Sequence, residues 1–189
     1  WAGLTPPGFA FAVKAPKVAT HERRLRDAGE IFARFLDETA GLGDKLRVIL
    51  VQTPPSLPFD AQAKAALADL RDRTRVALAC EPRHASWFAD AAEEFLADLR
   101  IARVGADPAI APSGAEPAGW RGLSYRRLHG APRIYYSPYG QARCAQIAAA
   151  LARDAAEGRE SWCVFDNTAA GEATRDALAT GALLMQAPR

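Results

Sequence analysis

Six short apolar segments alternate along this chain with stretches of helical periodicity, and each gives way within a residue or two to a polar group. That alternation limits the fold more than any other feature. The segments are 9–14, 46–52, 76–81, 101–107, 123–128 and 162–165. Strands that alternate with helices of about a dozen residues must pair in parallel, because a strand-helix-strand crossover returns the chain to the same end of the sheet. One end of the sheet therefore collects every strand C-terminus. Those ends carry Lys14, Gln52, Glu81, Asp107, Arg127 with His129, and Asp166 with Asn167. In parallel α/β folds, ligands bind at that end.

Period-two alternation is clearest in segment 76–81, where Ala77, Ala79 and Glu81 share one face while Val76, Leu78 and Cys80 share the other. Segment 9–14 divides in the same way, with Phe9, Phe11 and Val13 opposite Ala10, Ala12 and Lys14. A small inward face made of Ala10, Ala12, Ala77, Ala79 and Gly105 suits a closed (β/α) barrel, whose narrow interior must take side chains from every strand. An open doubly wound sheet is also compatible with these residues. Helical spacing predicts a first helix from Thr20 to about Gly41, a second capped by Asp60, and a third starting at Ser86 or Asp90. Two more follow, one through Cys144, Ile147 and Leu151, the other over 171–184. Residues 108–122 are rich in Pro, Gly and Ala without a helical stripe, and predict a long loop where a helix is expected.

At 189 residues and 49% hydrophobic content, the chain is expected to build one core in a single domain, 1–189. Its formal charge of +2 is spread over interleaved acids and bases, so no block by itself points to nucleic acid or an anionic membrane. No apolar run approaches the roughly 20 residues that span a bilayer. Cys80, Cys144 and Cys163 are odd in number and form no Cys-x-x-Cys pair, which fits buried thiols in a reducing cytoplasm. Neither a phosphate-binding loop nor a dinucleotide fingerprint is present, so no cofactor is expected.

Several motifs resemble, in order, those of the YecE-like proteins, the family called domain of unknown function 72. They are Lys14-Ala15-Pro16 with Thr20-His21, Gln52-Thr53-Pro54-Pro55, Glu81 with Arg83-His84 and Ser86-Trp87, Asp107, Tyr125-x-Arg127-Leu128-His129-Gly130, and Phe165-Asp166-Asn167-Thr168. The resemblance runs from about Trp1 to Leu184 and implies an eight-stranded (β/α) barrel with these residues at its C-terminal mouth. Segment 9–14 would then be the third barrel strand. The first two would precede Trp1, supplied by upstream residues or by another chain. Two positions depart from the family's pattern: Pro82 stands where an aromatic residue is usual, and Asp166 replaces the first Asn of an Asn-Asn pair.

At such a mouth Glu81 is the strongest candidate for general acid/base work, because partial desolvation can raise a carboxyl toward neutrality. Pairing with Arg83 or Arg127 is the bland alternative. Asp107 is a candidate second carboxylate, and His129 a proton partner. Lys14, Gln52, Arg83, Arg127, Tyr125 and Asn167 are candidate substrate contacts, with the guanidinium groups suited to phosphate or carboxylate. Mutual neutralisation by Glu81, Asp107 and Asp166 is the competing reading. A metal held by Glu81, His84, Asp107 and His129 is disfavoured by the cations around it, so no metal site is expected. His21 and His84 are read as hydrogen-bonding groups at helix starts, Trp87 as a wedge, and Trp120 as a candidate lid residue. These residues predict an enzyme acting on an anionic, phosphate- or sugar-phosphate-like substrate. A non-catalytic binder of nucleic acid or a phosphorylated metabolite is the alternative.

Overall fold

The computed structural model describes residues 1–186. Strands β1 (Phe11–Lys14), β2 (Leu46–Gln52), β3 (Ala77–Glu81) and β4 (Ile101–Arg103) lie side by side in that order, all parallel. Strand β5 (Gly105–Asp107) follows after Val104, whose N–H donates to the Cys80 carbonyl at 2.8 Å. The two-residue β6 (Ala118–Gly119) runs antiparallel along β4. Strand β5 instead pairs in parallel with β7 (Leu123–Leu128), and β7 with β8 (Glu160–Phe165). Residues 101–107 are thus one extended run that hands the sheet from one set of neighbours to the next. The fold is α/β. Among the described residues β1 pairs only with β2 and β8 only with β7, so both ends of this strand order are edges.

Helices α1 (Gly29–Thr39), α2 (Ala61–Arg73), α3 (Asp90–Asp98) and α4 (Gly140–Ala156) make crossovers, and α5 (Glu172–Gln186) follows β8. Phe32, Phe35, Leu67, Leu70 and Leu96 from α1 to α3 pack against Ile49, Val51, Leu78, Cys80 and Ile101 of the sheet. Each such side chain contributes roughly 1.5–3 kcal/mol by leaving water. Ile147 and Leu151 of α4 cover Leu128, with Cys163 and Phe165 beside them. The opposite face of the sheet forms a second core of Val48, Leu50, Ala79, Ala102, Val104, Leu123 and Tyr125. Ala12 and Ala77 pack against this second core, while Val13 and Leu78 belong to the helix-covered side, as period two requires.

Three sequence expectations need correction. Gly105 does not face the small core, because a Cβ there would lie 2.8 Å from Pro117 and 2.9 Å from the Ala115 carbonyl. The first helix does not start at Thr20. Val18–Glu22 makes one wide π-type turn, after which Arg24, Leu25 and Asp27 take φ of 50°, 63° and 46°. That reversal buries Leu25 and gives its N–H to the Ala19 carbonyl at 2.8 Å, so α1 begins only at Gly29. Trp120 is no lid at the C-terminal rim, since its N–H donates to the carbonyl of Ile101, the first residue of β4, at the opposite end of the sheet. The loop expected over 108–122 holds only a 3-10 turn, Pro112–Ala115, and β6. Asp60 caps α2 as expected, its Oδ1 accepting from the Ala63 N–H at 2.8 Å.

Candidate functional site

Parallel register brings the ends of β3, β7 and β8 to one rim, and alternation along β7 puts Tyr125, Arg127 and His129 on one face. There Glu81, only 1% exposed, becomes the hub of a charged cluster. Its Oε2 accepts from Arg127 Nη1 at 2.6 Å, and Arg127 Nη2 continues to Asp166 Oδ2 at 2.6 Å. His129 bridges the same two carboxylates, with Nδ1 3.0 Å from Asp166 Oδ2 and Nε2 3.0 Å from Glu81 Oε1. Arg83 closes the group, its Nη2 donating to Glu81 Oε1 and lying 2.8 Å from His129 Nε2. With Nδ1–H directed to Asp166, a neutral His129 accepts from Arg83 at Nε2; with both nitrogens protonated it donates to both carboxylates.

Two carboxylates face two guanidinium groups, so the formal charges of the ionic core cancel. Burial alone raises the Glu81 carboxyl, but the His129 hydrogen bond and the Arg127 and Arg83 charges outweigh it and hold the group down at about 2. This corrects the expectation of a carboxyl raised toward neutrality. Glu81 is an ionised anchor. Burial likewise opposes the charge on Arg127, yet Glu81 and Asp166 raise its pKa above the ordinary value. Pro82 does not prevent the pairing of Glu81 with Arg83, and Asp166 supplies the acceptor that Arg127 and His129 share.

What reaches solvent is different. The side chains of Arg83 and Asp166 are 17% and 30% exposed, against 2% for His129. At the ends of β1 and β2, Lys14 Nζ lies 3.4 Å from Gln52 Oε1. Burial lowers the His21 pKa, and the nearby charges of Lys14, Lys17 and Arg83 lower it further, the mark of cations crowded together. Among the described residues the buried Arg83 Nε has no hydrogen-bond partner. The β1–β3 side of the rim is therefore positive, next to a core whose formal charges cancel.

Other expected site residues lie elsewhere. Asp107 points to the helix-covered side, where Arg143 of α4 pairs with it at 2.9 Å; it does not meet Glu81. Tyr125 stacks on Trp162 at 6.2 Å within the second core, and its hydroxyl is pushed up to about 12, first by burial. Asn167 is fully buried and donates through Nδ2 to the Ser137 carbonyl at 3.0 Å and Asp176 Oδ2 at 2.8 Å, tying a loop down. His84 Nδ1 accepts from the Ser86 N–H, and buried Trp87 donates to the Leu57 carbonyl, so both hold structure. Burial pushes the Cys80 thiol up to about 12, which makes it unreactive. Sequence reading missed Lys17, for which the spacing Lys14-Ala15-Pro16-Lys17 was the available signal. It also missed Asp176, whose helical position gives no hint that it reaches Asn167 and the Tyr139 N–H.

The family model described as protein of unknown function DUF72 matches residues 1–189. The chain belongs to that family. A crystal structure of a DUF72 family protein from Enterococcus faecalis V583 is similar to it at a TM-score of 0.83 and 21% identity, covering 100% of this chain and 79% of that one. A DUF72 family protein from Thermotoga maritima MSB8 is similar at 0.73 and 28% identity, with coverage of 96% and 76%. No curated protein matches the chain. Within this DUF72 protein no helix is long and apolar enough to cross a membrane, among the described residues. Nor do three His, Cys, Asp or Glu side chains there come together as a metal site.

Proposed function

We propose that this DUF72 protein is the greater part of a (β/α) barrel, closed by strands that pair along β1 and β8, and that it acts on a phosphate-bearing small molecule at the C-terminal rim. The barrel reading is supported by the all-parallel order of β1 to β5, β7 and β8 with the crossover helices packed on one face. One observation carries the ligand reading: Arg83 is locked by Glu81 and His129, yet among the described residues its buried Nε has no partner, and it shares with the exposed Lys14 and Lys17 the neighbourhood of His21, whose pKa all three lower. An anion on that side would be met by point charges and a planar guanidinium already held in place. Glu81, ionised throughout the neutral range, anchors Arg83 and Arg127 instead of transferring protons. His129, oriented through Nδ1 by Asp166, is the proton-transfer group, with Nε2 directed at the Arg83 side.

Calorimetric titration with inorganic phosphate and glycerol 3-phosphate checks this reading. The double variant Lys14→Met/Lys17→Met changes only exposed residues and should bind at least about tenfold more weakly than the parent, the consequence of losing charge-assisted contacts. Equal affinity, or no binding by the parent, would overturn the assignment. A receptor without chemistry is the second reading, favoured by the near-complete burial of Glu81 and His129. It requires that His129→Gln bind phosphate esters like the parent and that neither protein turn them over.

A further inference from the structure

Next to this cluster the chain exposes an unusual concentration of apolar surface. Ile134, Tyr135 and Tyr136 are consecutive and 44%, 47% and 43% exposed. The Tyr135 ring stands edge-on to the His129 ring, 6.0 Å between centroids, and His129 in turn touches Arg83. Arg133 lies 3.8 Å over the ring of Tyr136, so that face is already covered by a cation. Tyr135 is the exposed aromatic ring that contacts the cluster.

The loop that carries it is held, not slack. Tyr135 adopts φ of 71°, a left-handed conformation that a bulky residue takes only when its surroundings enforce it. Its N–H donates to the His129 carbonyl at 2.6 Å, and its carbonyl accepts from the Ala169 N–H at 3.0 Å. Arg133 N–H reaches Ser137 Oγ at 3.0 Å, and the Ser137 carbonyl takes the buried Asn167 amide. A strained backbone tied to the ends of β7 and β8 keeps a flat, half-exposed ring beside the rim. Nothing in packing calls for that ring to be outside.

We propose that Tyr135 is the platform for the ring of a sugar phosphate, which makes the rim select cyclic sugar phosphates over inorganic phosphate and acyclic esters. This inference rests on the phosphate reading of the rim. Groups around Tyr135 favour a polyhydroxylated ring over a flat base. Among the described residues Asp166 engages only Oδ2, leaving its second oxygen, on a part-exposed side chain, to accept from a hydroxyl. Gln52 offers an amide N–H₂ beside Lys14, with Oε1 already used. The sugar's phosphate sits on Arg83 and Lys14, its hydroxyls on Asp166 and Gln52, and its C–H face on Tyr135.

Calorimetry with glucose 6-phosphate, glycerol 3-phosphate, inorganic phosphate and adenosine monophosphate tests this on the parent chain, Tyr135→Phe and Tyr135→Gly. Glycine accepts the positive φ without strain, so Tyr135→Gly removes the ring and leaves the loop its backbone. Glucose 6-phosphate should bind about tenfold tighter than glycerol 3-phosphate to the parent and to Tyr135→Phe, in line with the usual worth of an aromatic contact. Tyr135→Gly should abolish that preference while inorganic phosphate binds unchanged. A preference that survives in Tyr135→Gly, or equal binding of the first three probes to the parent, overturns the platform and leaves the rim standing. Tighter binding of adenosine monophosphate than of glucose 6-phosphate overturns the sugar. Absence of binding by every probe overturns the rim and the platform together.

Discussion

Glu81 is fully buried and fully ionised at once, a combination that water would ordinarily forbid and that Arg127, Arg83 and His129 make possible. Its folded pKa, about 2, lies below the ordinary 4.5, so the ionised form is the one the fold stabilises. That contribution is complete above the unfolded pKa and fades as pH falls through the folded value. It amounts to roughly 3 kcal/mol between those limits. Urea unfolding of the parent should therefore lose stability steeply from about pH 5 to pH 2, and Glu81→Gln should follow a visibly flatter course. Parallel curves for the two proteins would show that Glu81 is not the linked group. The polarity at this position was legible in the sequence as a strand that ends in a carboxylate. Its pKa was not, because the answer depended on whether two arginines 2 and 46 residues away would reach the same two oxygens.

At the scale of elements, period-two alternation located the faces of β1 and β3 correctly, since a strand has only two sides and one of them carried small residues. In 101–107 the small size of Gly105 suggested the inner face and so gave the wrong phase. Ala102 and Val104 lie in the second core, so period two itself carries Gly105 and Asp107 to the helix-covered side, where Asp107 meets Arg143. Helix α1 was misjudged at its start. Leu25 belongs to the apolar stripe, but it enters the core from a left-handed turn before the helix starts. Turn geometry also governs the link after β7. Gly130 has φ of 91°, and a Cβ there would lie 2.9 Å from the Ser137 carbonyl and 3.1 Å from Asn167 Cβ. Gly140 has φ of 71° with open space around it. Gly130→Ala should cost about 2–3 kcal/mol and Gly140→Ala about 1 kcal/mol, because both pay for the backbone but only the first forces a neighbour to move. Thermal or urea melts of the two variants compare them directly, and equal losses would refute the steric account.

At the scale of the molecule, a five-stranded and a three-stranded sheet joined at Val104 carry a core on each face, the larger, in two clusters, under the helices and the smaller on the opposite face, where alanines, Val48, Leu50 and Tyr125 meet. The smaller core is bounded by edges at β1 and β8. Their outward amide groups have no partner strand among the described residues, whereas β3 and β7 are flanked on both sides. Hydrogen exchange on the 189-residue chain should therefore find the amides of β1 and β8 exchanging well before those of β3 and β7. Uniform protection across all four strands would mean that something covers the edges.

The order of strands and helices, the parallel pairing and the polar rim followed from local pattern, because periodicity and crossover geometry act along the chain and need no knowledge of distant contacts. Tertiary structure alone decided which rim residues meet. It joined Glu81, Arg83, Arg127, His129 and Asp166, turned Asp107 toward Arg143, stacked Tyr125 on Trp162, and set Tyr135 beside His129. Those outcomes depend on long side chains converging from separate strands, where a single residue of register or one turn with positive φ decides which charge finds which partner.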